Sequence, residues 1–156
     1  MSDGTSETEP RRIALFTIGF AGKSAEEFFG AVRQAGVRRV VDVRLNNVSQ
    51  LAGFTKKRDL PYFLRTIADI EYEHRPELAP TKEILDDYKK KRIDWSEYER
   101  RFKALLAERQ LAQRFKAEQF DHACLLCSEA KPQKCHRRLV AEHFKDAWGE
   151  VEIRHL

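Results

Sequence analysis

The sequence lacks any apolar run approaching the roughly 20 residues that a membrane-spanning helix needs, so neither a helical span nor a membrane partner is expected. Cysteine is scarce: three residues, an odd number. With no export signal in view, that count argues against a disulfide framework and leaves packing, metal binding or thiol chemistry. The glycines of Gly19-Phe20-Ala21-Gly22 lack the G-x-G-x-x-G spacing of a dinucleotide site. There is no H-x-x-x-H, no internal repeat, no low-complexity segment and no interdomain linker. A dense basic face is also missing, because the net charge of +4 comes from cations interleaved with anions almost everywhere. The clusters Lys56-Lys57-Arg58 and Lys89 to Arg92 read as solvated helix ends.

What remains is the composition of a soluble globular chain, 42% hydrophobic over 156 residues. That length holds one domain with a real core. The opening MSDGTSETEPRR is polar and acidic, the wrong character for a secretory signal. Residues 1–11 are expected to form a disordered tail, residues 12–156 a single α/β domain, and the protein is expected to be cytoplasmic.

Arg12 to Ile18 is a near-continuous apolar run, as a strand covered on both faces requires. Ser24 with Glu27 forms a capping box opening a helix that buries Phe28, Val32 and Ala35, and Gly36 stops it. Val37 to Val43 supplies a second strand, ending in Asp42 and Arg44. A strand, helix and strand within about thirty residues read as a parallel unit. Charged groups at the carboxyl ends of such strands face the crevice where open α/β sheets bind ligands; the alternative for Asp42 and Arg44 is a mutual ion pair. Asn46 to Gly53 is a polar loop near that crevice. Leu60, Phe63, Leu64 and Ile67 recur at helical spacing. Ile70 to His74 reads as a third strand, followed by helices over residues 81–91 and 96–109, capped by Thr81 and by a Ser96/Glu99 box. Trp95 reads as a packing anchor, and residues 111–117 as a further short helix. Ala123 to Cys127 is the fourth strand. Leu139, Val140, His143 and Ala147 mark one side of a terminal helix, and Val151 and Ile153 a closing strand. The expected architecture is a mostly parallel sheet of about five strands flanked by helices.

One window, HACLLCSEAKPQKCHRR from His122 to Arg138, concentrates the reactive side chains. Cys135 falls at a helix N-terminus, where amide donors and the helix dipole favour negative charge. Such a setting brings a thiol pKa from about 8.5 toward roughly 3.5–7.5. His136 beside it suits cysteine-based nucleophilic catalysis, and Arg137 and Arg138 suit a phosphate or carboxylate. Glu129 is either an acid/base group or an arginine's partner. Cys127, Cys135 and His136 could instead ligate a metal, although their spacing matches none of the familiar zinc patterns. Cys124, an odd number of residues from Cys127, faces the other side of its strand and reads as core.

The TIGF at the start of the chain, DVR at 42–44, LLCSE at 125–129 and CHRRLVAEHF at 135–144 resemble the family called domain of unknown function 488. Where many members have a loop rich in Pro, Ser and Arg after DVR, this chain has Leu45-Asn46-Asn47-Val48. The resemblance implies an α/β fold and marks Asp42, Arg44, Cys127, Glu129, Cys135, His136 and Arg137 as motif positions; it supplies no activity. The leading expectation is a small enzyme acting on an anionic, phosphate- or nucleotide-like or nucleic-acid-derived substrate. In it Cys135 or Cys127 is the thiolate, Glu129 and His136 handle protons, and Asp42, Arg44, Arg137 and Arg138 form the substrate-binding set. Two other readings stay open: a binding module without turnover for a phosphate-bearing ligand or nucleic acid, and a metal site on Cys127, Cys135 and His136.

Overall fold

The computed structural model describes residues 12–47 and 53–156. The expected tail over residues 1–11 and part of the Asn46–Gly53 loop lie outside the described residues. Five strands form one parallel sheet in the order β3-β2-β4-β1-β5: β1 (Ile13–Gly19), β2 (Arg39–Asp42), β3 (Glu71–His74), β4 (Ala123–Cys127) and β5 (Val151–His155). The α/β architecture expected from the sequence is the one observed. Among the described residues no helix is long and apolar enough to cross a membrane.

The central strands are apolar on both faces because both faces are covered. On one side Phe16, Ile18, Val40, Cys124 and Leu126 pack against Phe28 and Val32 of α1 (Ala25–Ala35) and Leu60 of α2 (Leu60–Phe63). On the other, Leu15, Val41, Leu125 and Cys127 meet Ile84 of α3 (Lys82–Lys89), Tyr98, Phe102 and Leu106 of α4 (Trp95–Arg109), and Leu111 of α5 (Leu111–Arg114). Leu139, Val140 and Phe144 of α6 (His136–Trp148) complete that layer. Each such fully buried side chain contributes about 1.5–3 kcal/mol, which outweighs the local propensities of these mostly polar helices.

The strand order sets the position of the crevice. From β1 the chain runs through α1 to β2 and on to β3 at one edge; it then returns to β4 and passes through α6 to β5 at the other. β1 and β4 are neighbours, with Gly19 opposite Cys127, and they deliver the chain to helices on opposite faces. That divergence is a topological switch point, where ligands bind in open parallel sheets.

Local chemistry accounts for most helix boundaries. Ser24 and Glu27 form a reciprocal capping box, Gly36 takes the left-handed conformation that ends α1, and the Thr81 hydroxyl accepts the Ile84 amide at 3.2 Å. Three expectations differ from the structure. Asp94, not the Ser96/Glu99 box, caps α4, its carboxylate accepting the Glu97 amide at 2.9 Å, so Trp95 opens the helix. The pattern through Ile67 breaks because α2 widens into a π-helical turn over Leu64–Ala68; the extra residue rotates Ile67 outward, leaving it 45% exposed. In α6 the buried stripe runs through Phe144, and Ala147 is exposed.

Candidate functional site: a thiol pair at the switch point

β4 ends at Cys127, and the chain turns through Ser128 to Lys134 before α6 starts at Cys135, its N-cap. This turn is clamped onto the end of β1. The Phe20 and Ala21 amides donate to the Cys127 and Ser128 carbonyls at 3.3 and 2.9 Å. A Cβ on Gly19 would lie 1.6 Å from the Glu129 carbonyl oxygen and 2.8 Å from Arg137 Nη1. Only glycine leaves room for the turn at that point.

Arg137 is fully buried beneath the turn. Its Nη1 donates to the Glu129 carbonyl at 2.5 Å, and its Nε to Thr17 Oγ1 at 3.1 Å. Thr17 Oγ1 is also hydrogen-bonded to His155 Nδ1, 2.6 Å away. Arg137 therefore fastens the turn to the interior.

Cys127 and Cys135 are 4% and 2% exposed, and His136 is buried between them and Val43. One ligand atom from each lies within 4.8 Å of the others. The Val43 carbonyl can only accept, so His136 Nε2, at 2.6 Å, carries the proton. His136 Nδ1 is thereby left as an acceptor 3.6 Å from Cys127 Sγ. Phe102 holds the imidazole edge-on, with ring centroids 5.6 Å apart.

The two thiols are shifted in opposite directions. The pKa of Cys127 is lowered chiefly by a hydrogen bond from Cys135, against the opposing effect of burial, with help from the Ser128 and Glu129 amides and from Arg137. Cys135 is raised, first because it is the donor to Cys127 and then by burial. Helix N-capping alone points to Cys135 as the lowered thiol, whereas the one lowered is Cys127. Cys124 has C-x-x-C spacing to Cys127, yet strand alternation puts it in the opposite layer, where burial raises its pKa.

Asp42 and Arg44 form a buried pair. Arg44 Nε and Nη2 donate to the Asp42 carboxylate at 2.8 and 2.7 Å, and Nη2 also donates to the Thr55 carbonyl. Tyr72 donates its hydroxyl to Asp42 at 2.6 Å; burial and that carboxylate raise its pKa, so it stays a donor. Burial opposes charge on Arg44, but the Asp42 hydrogen bonds outweigh it and its pKa is raised. Arg44 Nη1 is buried without a hydrogen-bond partner among the described residues.

A cavity of about 650 Å³ opens over these groups. Cys127, Glu129, Cys135, His136 and Arg44 line it, together with Phe20, Tyr88, Lys89, Trp95, Tyr98 and Lys134. Asp42 and Arg137 lie behind its wall. Arg138 is also outside the lining, tying α6 to α4 through Glu99 at 3.0 Å and to Glu142 within its own helix. Lys134 adjoins Cys135, but Tyr88, Lys89, Trp95 and Tyr98 come from α3 and α4, far from the motif residues in sequence. No spacing rule announces them, because tertiary packing brings the helices to the strand ends.

A family model that matches residues 24–144 decides the chain's kinship. The chain belongs to the DUF488 family. That model, described as "Domain of unknown function DUF488", runs from the cap of α1 into α6. The matched segment holds Asp42, Arg44, Cys127, Glu129, Cys135, His136 and Arg137, so the cluster lies wholly within the DUF488 region. No curated protein and no solved structure matches the chain.

Proposed function

We propose that the protein is a small cytoplasmic enzyme in which Cys127 is a nucleophilic thiolate acting on an anionic, phosphate- or nucleotide-like substrate. The observation that carries this reading is the convergence of the Cys135 thiol, the Ser128 and Glu129 amides and His136 Nδ1 on one sulfur at the floor of a cavity. His136 Nδ1, 3.6 Å from Cys127 Sγ, is the base that takes the Cys127 proton to form the thiolate, and its Nε2–H remains on Val43 throughout. Glu129, on the exposed rim, is placed to exchange a proton with a leaving group. Asp42 and Arg137 act as positioning residues, the first orienting Arg44 and the second fixing the turn. Arg138 fastens the first turn of α6, which carries Cys135 and His136.

Limited alkylation of the native protein with iodoacetamide, read by peptide mass spectrometry, tests the assignment. Label confined to Cys127 supports it; label on Cys135 first, or none short of unfolding, contradicts it. In a screen of anionic esters, turnover should vanish in Cys127→Ala. Ligand affinity that survives this substitution with no turnover by the native protein would make it a binding module.

A second reading rests on one distance. In a tetrahedral zinc site, sulfur and nitrogen ligands are about 3.5 Å apart, and Cys127 Sγ and His136 Nδ1 are 3.6 Å apart. A metal-bound imidazole usually donates its other ring N–H to a carbonyl or carboxylate, as His136 Nε2 does to the Val43 carbonyl. Cys127, Cys135 and His136 would hold the ion, and the metal would supply Lewis acidity or an activated water. Stoichiometric metal in native protein that disappears in Cys135→Ala selects this reading; metal-free protein with alkylation at Cys127 selects the first.

A further inference from the structure

The cavity has two unlike halves, and together they define a ligand. At one end is Arg44, whose Nε/Nη2 edge is occupied by Asp42 and whose Nη1 therefore points away from that partner. Phe20 covers the guanidinium at 5.2 Å. A buried cationic nitrogen with nothing to donate to is destabilising; Arg44 is only 5% exposed, and its Nη1 has no hydrogen-bond partner among the described residues. An acceptor arriving through the cavity that Arg44 lines beside Cys127 would remove that cost. Lys89 and Lys134, both exposed on the same cavity, make no ion pair among the described residues and are free to meet an anion, with Glu129 the acidic side chain that shares the lining.

The other half is aromatic. Trp95 stacks on Tyr98 with centroids 4.8 Å apart and planes at 21°, and Tyr88 meets Trp95 edge-on at 5.7 Å. All three line the cavity, and Tyr98 is buried beneath the indole. Aromatic side chains held by each other lose little freedom on binding, and they favour flat rings by offset stacking.

We propose that this cavity selects a substrate made of a flat aromatic or heteroaromatic ring bonded to an oxyanion group. The ring lies against the Trp95–Tyr88 wall, and the oxyanion accepts from Arg44 Nη1 with Lys89 and Lys134 at the rim. This names the substrate class of the thiolate site proposed above and rests on that reading for its chemistry, but not for its binding.

The test is therefore run in Cys127→Ala protein, where binding is separated from turnover. The chain has two tryptophans, and Trp148 lies away from the site, stacked on Phe144 at 4.4 Å. Adding Trp148→Phe leaves Trp95 as the single indole reporter. Phenyl phosphate and adenosine 5′-monophosphate are titrated against inorganic phosphate and ribose 5-phosphate, which carry the anion without the ring. At least one ring-bearing probe should quench Trp95 and bind ten-fold or more tightly than either ringless one. Tight adenosine 5′-monophosphate with weak phenyl phosphate identifies a nucleotide; the reverse, or equal affinities, identifies a simple aryl anion. By calorimetry, Trp95→Leu should abolish the ten-fold preference, and Lys134→Gln should weaken ring-bearing and ringless anions alike. Equal affinity with and without the ring, no binding by any probe, or a preference that survives Trp95→Leu overturns the proposal. Alkylation of Cys127 in native protein reports on the thiolate reading separately, so either can fail alone.

Discussion

Replacing Gly19 by alanine should damage both stability and the site through one added methyl group. That methyl would sit 1.6 Å from the Glu129 carbonyl oxygen and 2.6 Å from its carbon, both backbone atoms that cannot rotate aside. The turn must lift or β1 must retreat, and either movement weakens the hydrogen bond from Arg137 Nη1 to that carbonyl. Overpacking costs about 1–3 kcal/mol, and disturbing a buried bond from a charged donor adds about 1.5–3 kcal/mol. A loss of about 2.5–6 kcal/mol is expected. For a chain of this size each kcal/mol lowers Tm by about 2–4 °C, which gives a fall of about 5–24 °C. Thermal and urea unfolding followed by circular dichroism measure it. Gly30→Ala is the internal control: Gly30 sits within α1 with nothing near its prospective Cβ, so alanine should stabilise by about 0.5–1 kcal/mol. If Gly19→Ala melts within a degree of the native protein and alkylates at Cys127 at the native rate, the turn is not pinned on β1 and the argument fails.

Three further outcomes follow from buried or paired charges. Asp42→Asn leaves Arg44 without its counter-charge in a site where it is 5% exposed, and should cost about 3–5 kcal/mol in urea unfolding; a loss under about 1 kcal/mol would contradict the pairing. Thr17→Val removes the acceptor of Arg137 Nε while preserving shape, and should cost about 1–3 kcal/mol while raising amide exchange in the Ser128–Lys134 turn. Unchanged exchange there would show that Arg137 does not hold it. Glu97 is held down to about 2 by hydrogen bonds from Arg100 and then Arg101. Its native pKa is below the unfolded one, so its contribution is complete above the ordinary value of 4.5 and is lost as pH falls toward about 2. Glu97→Gln should flatten that part of the acid unfolding curve, lowering stability slightly near neutrality, where an exposed ion pair contributes little, and leaving it unchanged below about pH 2; an identical acid limb would refute it.

The fold was largely legible because its signals are local. Apolar runs marked the buried strands, Ser24, Thr81 and Gly36 marked helix ends, and strand-helix alternation specified a parallel sheet. Where local signals competed, the sequence misled: Asp94 and Ser96 both precede α4, and only the folded chain shows which carboxylate or hydroxyl meets the free amides. The site was legible as a region more than as a mechanism. Cys127, Glu129, Cys135, His136 and Arg44 gather on the cavity, as their crowding at strand ends suggested. Which sulfur carries the charge depends on a donor relation between two residues eight positions apart, and that relation exists only once the turn folds back. The Trp95–Tyr98 wall was hidden for the same reason, since helical periodicity reports that these rings are buried but not what lies beside them.

The central claim is that Cys127 holds the negative charge and that Cys135 keeps it there. The most direct test is the pH dependence of iodoacetamide alkylation at Cys127, in native and Cys135→Ala protein, with metal content checked in each. The account predicts metal-free protein whose Cys127 reacts as a thiolate well below pH 8, and a profile displaced to higher pH when the Cys135 donor is removed. A native profile centred at the ordinary thiol value of about 8.5, or one that Cys135→Ala does not move, would contradict it.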